Sequence, residues 1–358
     1  MNTRAIVRAT VVGSLAVGLA LGLHLARAKD KAAGNKTSQV RVGSYQLSGP
    51  YKHENLTLFL IHGKDQIKGK TFLSLQEALE KKKVIVHETQ SVNNLAIENV
   101  SKDVEVFVQS GDIVKGGQQD RTIAFDLILP AKSGKVSITV YCVEQGRWQM
   151  RKGEDVRRFA SSSANLPSKE GKIAVKGTTS AYQRGNSQSG VWQEVARKQA
   201  MLGKNLGGSV KSAASESSLQ LSLEDKKLLK AVDTYTKKLT PLLEGKDDVI
   251  GFAFAINGQV NSADIYASHR LFKKLWPKLL NATVVEAIAE GQKGKKFKHA
   301  KIEDIKALMV DAEKGKASKK DVTKRIRMVT QETKKNVLFV TQDQDQKGVA
   351  LRKNYIAK

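Results

Sequence analysis

Two neighbouring segments with an apolar residue at every second position constrain the fold more than any other feature. They are Thr122–Leu129 and Lys135–Val143, and this period is typical of strands that bury one face and leave the other in water. Pro130–Gly134 between them has the composition of a loop. We therefore expect an antiparallel hairpin. Arg121 and Glu144, which flank it, should lie at the same end.

The upstream sequence extends the strand pattern. Ser74–Glu77 is a capping box that should begin one short helix. Further strands are predicted from apolar runs and alternation, at Leu56–Ile61, Val84–Glu88, Asn94–Asn99 and Val104–Gln109. Short strands this closely spaced, with a single short helix, predict an N-terminal half that resembles an antiparallel β-sandwich, or else a partly open barrel.

The C-terminal half is predicted to mix helices and strands. Amphipathic spacing indicates one helix over Ser222–Leu243 and a second that begins after Ser268. Two hairpins are also expected, the first around an Asn-Gly turn; their strands are Val249–Ile256 with Gln259–Tyr266, and Asn336–Thr341 with Val349–Ile356. The fold class is therefore α+β.

Composition divides the chain into segments. Residues 29–45 are polar and lysine-rich, which predicts a flexible lead-in. Residues 46–150 form the β-rich half. Residues 151–220 are rich in Ser, Gly, Lys and Gln and are interpreted as a long excursion with one short helix near Val191–Leu202. Residues 221–358 form the α/β half, which we expect to pack against the β-rich half.

The first 28 residues have the pattern of a signal peptide. Arg4 and Arg8 precede the apolar stretch Ala9–Leu25, and Ala26–Ala28 is an A-x-A cleavage motif. We expect export to the periplasm or the extracellular space, with no membrane span after cleavage. The alternative is an uncleaved N-terminal anchor, but the apolar stretch is short and broken by glycine.

The net charge limits the kinds of partner that the chain can bind, and the cysteine content limits its disulfides. Lys and Arg exceed Asp and Glu by 61 to 35, a formal charge of +26, which favours anionic small molecules or anionic surface polymers as partners. Basic residues do not alternate with aromatic ones, so specific nucleic-acid recognition is not expected. Cys142 is the single cysteine; it excludes an internal disulfide and is predicted to be a buried strand residue.

The candidate site lies within Ser110–Trp148. At one end is a glycine-rich loop, whose backbone N–H groups suit an anion, and at the other an arginine- and tryptophan-containing segment. The candidate ligand-binding residues are Asp112, Gln119, Arg121, Glu144, Arg147 and Trp148. The histidines lack metal-ligand spacing, so neither a metal nor a cofactor is predicted, and no residue is predicted to be catalytic.

Several spaced motifs carry a resemblance to a known family. They are Phe72–Leu79, the loop from Gly111 to Arg121, Cys142–Trp148 (CVEQGRW), Arg158-Phe159 with Ser161–Ser163, Val191–Arg197, Phe254–Gly258, Leu271–Leu280 and Tyr355–Lys358. Over roughly Val42 to Lys358 the chain resembles the ARG and Rhodanese-Phosphatase-superfamily-associated protein domain family. That family is largely uncharacterised, and the resemblance implies no reaction. It implies only that Gln119, Arg121, Glu144, Arg147 and Trp148 matter.

Three hypotheses follow. In the first, the chain binds a nucleotide- or phosphosugar-like ligand, with Arg121 and Arg147 neutralising charge and Trp148 stacking. In the second, it is a hydrolase of phosphoryl or glycosyl bonds that uses Asp112 and Glu144, which would have to lie within about 10 Å of each other. In the third, it is an envelope structural or interaction protein that binds anionic polymers. The residue types favour binding over catalysis.

Overall fold

Antiparallel strand pairing organises most of the chain. The computed structural model describes residues 38–67, 69–151, 154, 159–177, 188–292 and 294–358. The predicted signal peptide, 1–28, and the first part of the predicted lead-in lie outside these residues. Residues 152–153, 155–158 and 178–187 of the predicted excursion also lie outside them, as does Arg158 of the family motifs.

The described residues contain eighteen strands in three sheets. The strands are β1 Ser38–Val42, β2 Tyr45–His53, β3 Leu56–His62, β4 Phe72–Ser74, β5 Val84–Ser91, β6 Asn94–Asn99, β7 Glu105–Val108, β8 Asp112–Gly116, β9 Arg121–Ile123, β10 Leu127–Leu129, β11 Lys135–Cys142, β12 Phe159–Asn165, β13 Val249–Ile256, β14 Gln259–Tyr266, β15 Lys316–Asp321, β16 Ile326–Glu332, β17 Asn336–Asp343 and β18 Val349–Ala357.

Seven α-helices accompany them within the described residues. They are α1 Leu75–Glu80, α2 Lys169–Lys176, α3 Gln188–Leu206, α4 Leu219–Leu223, α5 Lys226–Leu239, α6 His269–Ala289 and α7 Ile302–Glu313, with short 3-10 helices at Thr240–Leu243 and Gln344–Gln346. None of the described helices is both long and apolar enough to cross a bilayer.

The largest sheet has nine strands in the order β1-β2-β3-β13-β14-β18-β17-β16-β15. Strand β3, from the N-terminal part of the chain, pairs antiparallel with β13, from the C-terminal part. The two parts therefore contribute strands to one sheet. At the far edge every residue of β15 is exposed, and the strand carries Lys316, Lys319 and Lys320.

Both faces of the nine-stranded sheet are covered. Helix α7 packs its apolar stripe, including Ile305 and Leu308, against side chains such as Phe59 and Leu338 on one face. On the other face, Phe252 and Phe254 join a larger core with α6 and the remaining sheets. Each buried side chain of this size stabilises the fold by roughly 1.5–3 kcal/mol. The alternation along β3 thus serves two cores at once.

The remaining strands form a six-stranded sheet, β12-β8-β9-β11-β6-β5, and a three-stranded sheet, β10-β7-β4. The hairpin predicted from Thr122–Leu129 and Lys135–Val143 forms only at its outer end, where β9 pairs with β11. Strand β10 instead pairs with β7. The reason lies at Asp126, between β9 and β10: its buried carboxylate accepts hydrogen bonds from Ser110 N at 2.7 Å and Arg352 Nη1 at 3.0 Å.

Three further predictions need correction. The helix predicted over Ser222–Leu243 begins later, as α5 at Lys226, because the Asp225 side chain caps its start by accepting from Lys227 N and Leu228 N. Ser222 and Leu223 belong to the end of α4, and Thr240–Leu243 is a 3-10 helix. The excursion contains β12, α2, α3 and the first residues of α4 rather than one short helix. Its polar composition hides the periodicity of these elements. Strand β1 lies in the predicted lead-in, where pairing with β2 overrides composition.

Other predictions are confirmed. The fold is α+β with extensive antiparallel sheets, and its N-terminal region is rich in sheet. Both predicted C-terminal hairpins form, as β13 with β14 and β17 with β18. The capping box is present: Ser74 Oγ accepts from Glu77 N, and Glu77 Oε2 accepts from Ser74 N at 2.9 Å.

A buried ion cluster connects the nine-stranded sheet to its neighbours. Arg352 donates to Asp264 at 2.8 Å and to Asp126 at 3.0 Å. Beside it, Lys176 Nζ donates to Asn354 Oδ1 at 2.5 Å. Burial, reinforced by the charge of Arg352, lowers the pKa of Lys176 to about 7. Folding therefore makes it easier for this lysine to lose its proton.

The Lys176 pKa predicts a pH dependence of stability. With a pKa of about 7, the folded lysine loses its proton as the pH rises from 7 to 9, whereas the unfolded one, with a pKa of about 10.4, still binds it. The contribution of Lys176 to the free energy of unfolding should therefore rise with pH, by up to roughly 1.4 kcal/mol per pH unit. Lys176→Met should remove that slope in urea unfolding curves at pH 7, 8 and 9. Lys306→Met, on an exposed position of α7, is the control; parallel curves for wild type and Lys176→Met would contradict the prediction.

Candidate functional site

The β9–β11 pairing assembles most of the predicted site. Arg121 stands opposite Cys142, and Val143 N donates to Asp120 O at 3.1 Å. Arg121 and Glu144 therefore lie at the same end of the hairpin, as predicted. Around them lie Gln119, whose Nε2 donates to Glu144 O at 3.1 Å, and Arg147 and Trp148. We refer to Gln119, Arg121, Glu144, Arg147 and Trp148 as the corner.

Asp112 does not belong to this group of contacts. It begins β8, and its carboxylate pairs with Lys278 Nζ at 2.7 Å and accepts from Gln109 N at 3.1 Å. Glu144 bonds to other residues altogether, Arg147 and Arg151 among them. Within the described residues, Asp112 and Glu144 share no bonding partner. The two candidate carboxylates thus enter separate networks.

The glycine-rich loop is built into the packing of the sheet. Gly117 has φ of +58°, and a Cβ there would come within 2.3 Å of the Phe159 ring and 2.8 Å of Glu88 Oε2. Glu88 Oε2 also accepts from Gln118 N at 3.1 Å, and Asp120 Oδ1 accepts from Gly116 N at 3.0 Å. These backbone N–H groups are engaged by the protein itself. The loop glycines therefore have a structural explanation.

Four charged side chains form a buried network behind the corner. We call Asp120, Glu144, Arg147 and Arg151 the corner ion network. Arg151 lies 2.7 Å from Asp120 Oδ1 and 3.0 Å from Glu144 Oε1, and Arg147 lies 2.6 Å from Glu144 Oε2. Both carboxylate side chains are fully buried. The two arginines balance the two buried acids, and Arg151 also pairs at 2.9 Å with Glu154 at the edge of the network.

The network also sets the charge states of its carboxylates. Burial raises the pKa of Glu144, but hydrogen bonds from Arg147 and Ser215 outweigh it and leave the pKa below its ordinary value. Burial raises the pKa of Asp120, and the nearby Glu144 charge adds to this against the hydrogen bonds from Arg151. Glu144 is therefore a carboxylate at neutral pH. It orients the two arginines and does not suit the role of a general acid.

Sequence reasoning missed two members of the network and one neighbour. Asp120 lies between two predicted residues, so its place inside the Gln-Asp-Arg triplet was a usable signal. Arg151 follows shortly after Trp148, but nothing local distinguishes it from other arginines. Ser218 Oγ donates to Asp120 Oδ2 at 3.0 Å from a position 98 residues away. Only the tertiary fold brings it there.

Arg121, unlike the arginines of the corner ion network, has no carboxylate of a described residue within 3.0 Å. It is wholly buried, and it donates through Nε to Val92 O at 3.0 Å and through Nη1 to Gln119 O at 2.6 Å. Its Nη2 finds no hydrogen-bond acceptor among the described residues, the closest ion partner being Glu88 Oε1 at 3.8 Å. Burial lowers the pKa of Arg121. An unsatisfied N–H on a buried cation is costly unless an acceptor reaches it.

Further unsatisfied groups surround this guanidinium. Gln119 Oε1 has no donor and Arg147 Nε no acceptor within the described residues. The Arg121 guanidinium lies 5.5 Å from the centre of the Trp148 ring, and Trp148 is 42% exposed. The corner thus combines spare hydrogen-bonding groups with an aromatic face at the surface. This combination suits the binding of an anionic group attached to a planar or ring-shaped body.

Within the described residues, no group of three or more His, Cys, Asp or Glu side chains is arranged to hold a metal ion. Cys142 is buried, as predicted. Its Sγ lies 2.7 Å from Glu144 O, and burial raises the pKa of the thiol to about 11. Cys142 therefore packs beneath the corner and is a poor nucleophile.

Comparison with known proteins gives one match. The sequence model of the ARG and Rhodanese-Phosphatase-superfamily-associated Protein domain matches residues 44–352. This range includes the corner, the glycine-rich loop, the six-stranded and three-stranded sheets, and the nine-stranded sheet except β1 and the end of β18. No curated protein and no solved structure matches the chain.

The raised pKa predicts a protected thiol. Relative to an ordinary cysteine, Cys142 should react with a disulfide reagent at pH 8 about 100-fold more slowly, because the thiolate is scarce and the side chain is buried. Absorbance of the released chromophore measures the rate. Addition of urea should restore full reactivity of the same cysteine, and rapid labelling of the folded protein would contradict the prediction.

The corner ion network predicts a large cost for removing one arginine. Arg151→Met leaves two buried carboxylates without their shared partner, so the free energy of unfolding should fall by about 3–5 kcal/mol. Urea denaturation followed by circular dichroism measures the change. Arg327→Met breaks an exposed ion pair with Asp321 and should have little effect. Equal effects of the two substitutions would contradict this account.

Proposed function

The chain belongs to the ARG and Rhodanese-Phosphatase-superfamily-associated Protein domain family, and we propose that its corner binds a small anionic ligand of the nucleotide or phosphosugar type. Arg121 and Arg147 supply the cationic hydrogen-bond donors. Gln119 supplies an acceptor for a ligand hydroxyl or amino group, and Trp148 supplies the stacking face. Glu144 holds Arg147 in position, and Asp112 supports the fold elsewhere.

One observation carries the proposal. The guanidinium of Arg121 is wholly buried, yet its Nη2 has no hydrogen-bond acceptor in the described residues. Each other charged group of the corner is compensated by an ion partner at 3.0 Å or less. A ligand oxyanion would give Arg121 the missing acceptor and a charge-assisted hydrogen bond.

We propose that the protein binds this ligand after export. The N-terminal 28 residues support cleavage and release into the periplasm or the extracellular space, with an uncleaved anchor as the alternative. A net charge of +26 would raise the local concentration of anionic ligands. The same charge supports a second candidate, an envelope protein that binds anionic surface polymers.

The hydrolase hypothesis receives less support. Asp112 and Glu144 are buried, each pairs with a basic residue, and their bonding partners differ. A general acid must hold a proton near neutral pH, whereas the pKa of Glu144 lies below its ordinary value. We therefore favour binding over bond cleavage.

Tryptophan fluorescence tests the proposal directly. AMP, glucose 6-phosphate and inorganic phosphate are the probes, and binding at the corner should quench Trp148 and be silent in Trp148→Phe. Arg121→Lys keeps the buried charge but removes the planar fork, so affinity should fall about tenfold or more. Arg327→Lys, on an exposed ion pair, should bind as wild type does.

The outcomes separate the candidates. Wild-type affinity in Arg121→Lys would overturn the anion corner. Binding of polyphosphate that disappears at high salt and is unaffected by Arg121→Lys would favour the surface-polymer candidate. Mass spectrometry of material that copurifies at low and at high salt would identify a natural ligand. Hydrolysis of a probe by the protein would instead support the hydrolase hypothesis.

A further inference from the structure

A polar cavity lies beside the β13–β14 turn, between the start of α2, the middle of α3 and the end of α6. Its volume is about 480 Å³, within the range of small-molecule sites. The start of α2, Arg197 of α3, the end of α6 and the loop after α6 line it. None of the corner residues lines this cavity. Arg197 and Asn257 come from two segments on which the family resemblance rests, Val191–Arg197 and Phe254–Gly258.

Glu286 lies at the buried side of this cavity. The residue is 1% exposed, and its Oε1 accepts from Asn261 Nδ2 at 2.9 Å and from Lys169 N at 3.0 Å. Its Oε2 is buried and has no hydrogen-bond donor in the described residues. A buried carboxylate oxygen without a donor costs free energy. This atom indicates a missing hydrogen-bond donor.

The neighbouring cations are engaged elsewhere. Lys198 Nζ donates to Glu290 Oε1 at 2.6 Å and stays 4.0 Å from Glu286 Oε1. Arg197 bonds to Glu194 at 2.7 Å and also contacts Glu170 and Glu290. Both cations are thus held by other glutamates. Neither donates to the free oxygen of Glu286.

The wall of the cavity also carries positive charge, opposite to that of Glu286. Lys295 and Lys296 line the cavity and are exposed. Their ammonium groups make no hydrogen bond or ion pair to any described residue. One wall of the cavity thus offers an acceptor with negative charge, and the loop after α6 offers two free cations.

We propose that this cavity binds a small zwitterion. Its primary ammonium group donates to Glu286 Oε2, and its carboxylate or phosphate pairs with Lys295 and Lys296. An ammonium group matches the buried oxygen because it supplies both a donor and a compensating charge, and a charged hydrogen bond is stronger than one from water. Amino acids and aminoalkyl phosphates share this chemistry.

Isothermal titration calorimetry of the full chain at low ionic strength tests the ligand class. L-Serine and phosphoethanolamine are the zwitterionic probes, one with a carboxylate and one with a phosphate. Ethanolamine lacks the anionic group and lactate lacks the ammonium group. Each control should bind at least about tenfold more weakly than the matching zwitterion. The stronger zwitterion identifies the anionic group; absence of binding by both zwitterions overturns the proposal.

Two variant pairs test the assigned atoms. Glu286→Gln should weaken zwitterion binding at least about tenfold, while Glu303→Gln, an exposed position on α7, should not. The double variant Lys295→Glu/Lys296→Glu should also weaken binding, with Lys306→Glu as its control. If Glu286→Gln fails to fold, the exposed lysine pair decides. Wild-type affinity in the lysine variant, or in folded Glu286→Gln, overturns the proposal.

Discussion

The fold depends on the ladder between β3 and β13. It joins a strand near the start of the described chain to one in its last third, and both strands are buried almost throughout. The nine-stranded sheet continues from this pair on both sides, with two strands beyond β3 and five beyond β13. Long-range pairing of this kind must overcome the entropy of closing the intervening chain before its contacts contribute. The six-stranded sheet and the corner belong to the chain segment between β3 and β13. The pairing of these two strands therefore fixes both ends of that segment.

The chain is strongly basic, yet its buried ion networks place arginines against carboxylates. Arg352 lies between Asp126 and Asp264, and Arg151 bridges Asp120 and Glu144. Such groups cost free energy to desolvate and specify geometry more than they add stability. Against this background the unsatisfied atoms are informative. Arg121 Nη2 and Glu286 Oε2 lie in different places and have opposite polarity. The proposed anion site rests on the first atom, and the proposed zwitterion site rests on the second.

Local chemistry predicted local structure well. The Ser74 capping box, the Asn257-Gly258 turn and the same-end position of Arg121 and Glu144 all follow from a few neighbouring residues. The failures have distant causes. Asp126 ends the predicted strand because Ser110 and Arg352 hold it in another place, and the helix start moved to Asp225 because a carboxylate caps it. Ser218 and Glu286 could not be found from the sequence, because most of their partners are distant along the chain, and nothing near Arg151 marks its contact with the distant Asp120.

The exposed lysines of β15 have a consequence for the behaviour of the protein in concentrated solution. A nine-stranded sheet ends in an edge strand whose free backbone groups form a template for a further strand. Lys316, Lys319 and Lys320 place three positive charges on that edge. A second copy approaching edge to edge would bring the same charges together, and the repulsion disfavours such growth. The edge therefore disfavours strand-to-strand association of the sheet, an effect that matters most at high protein concentration.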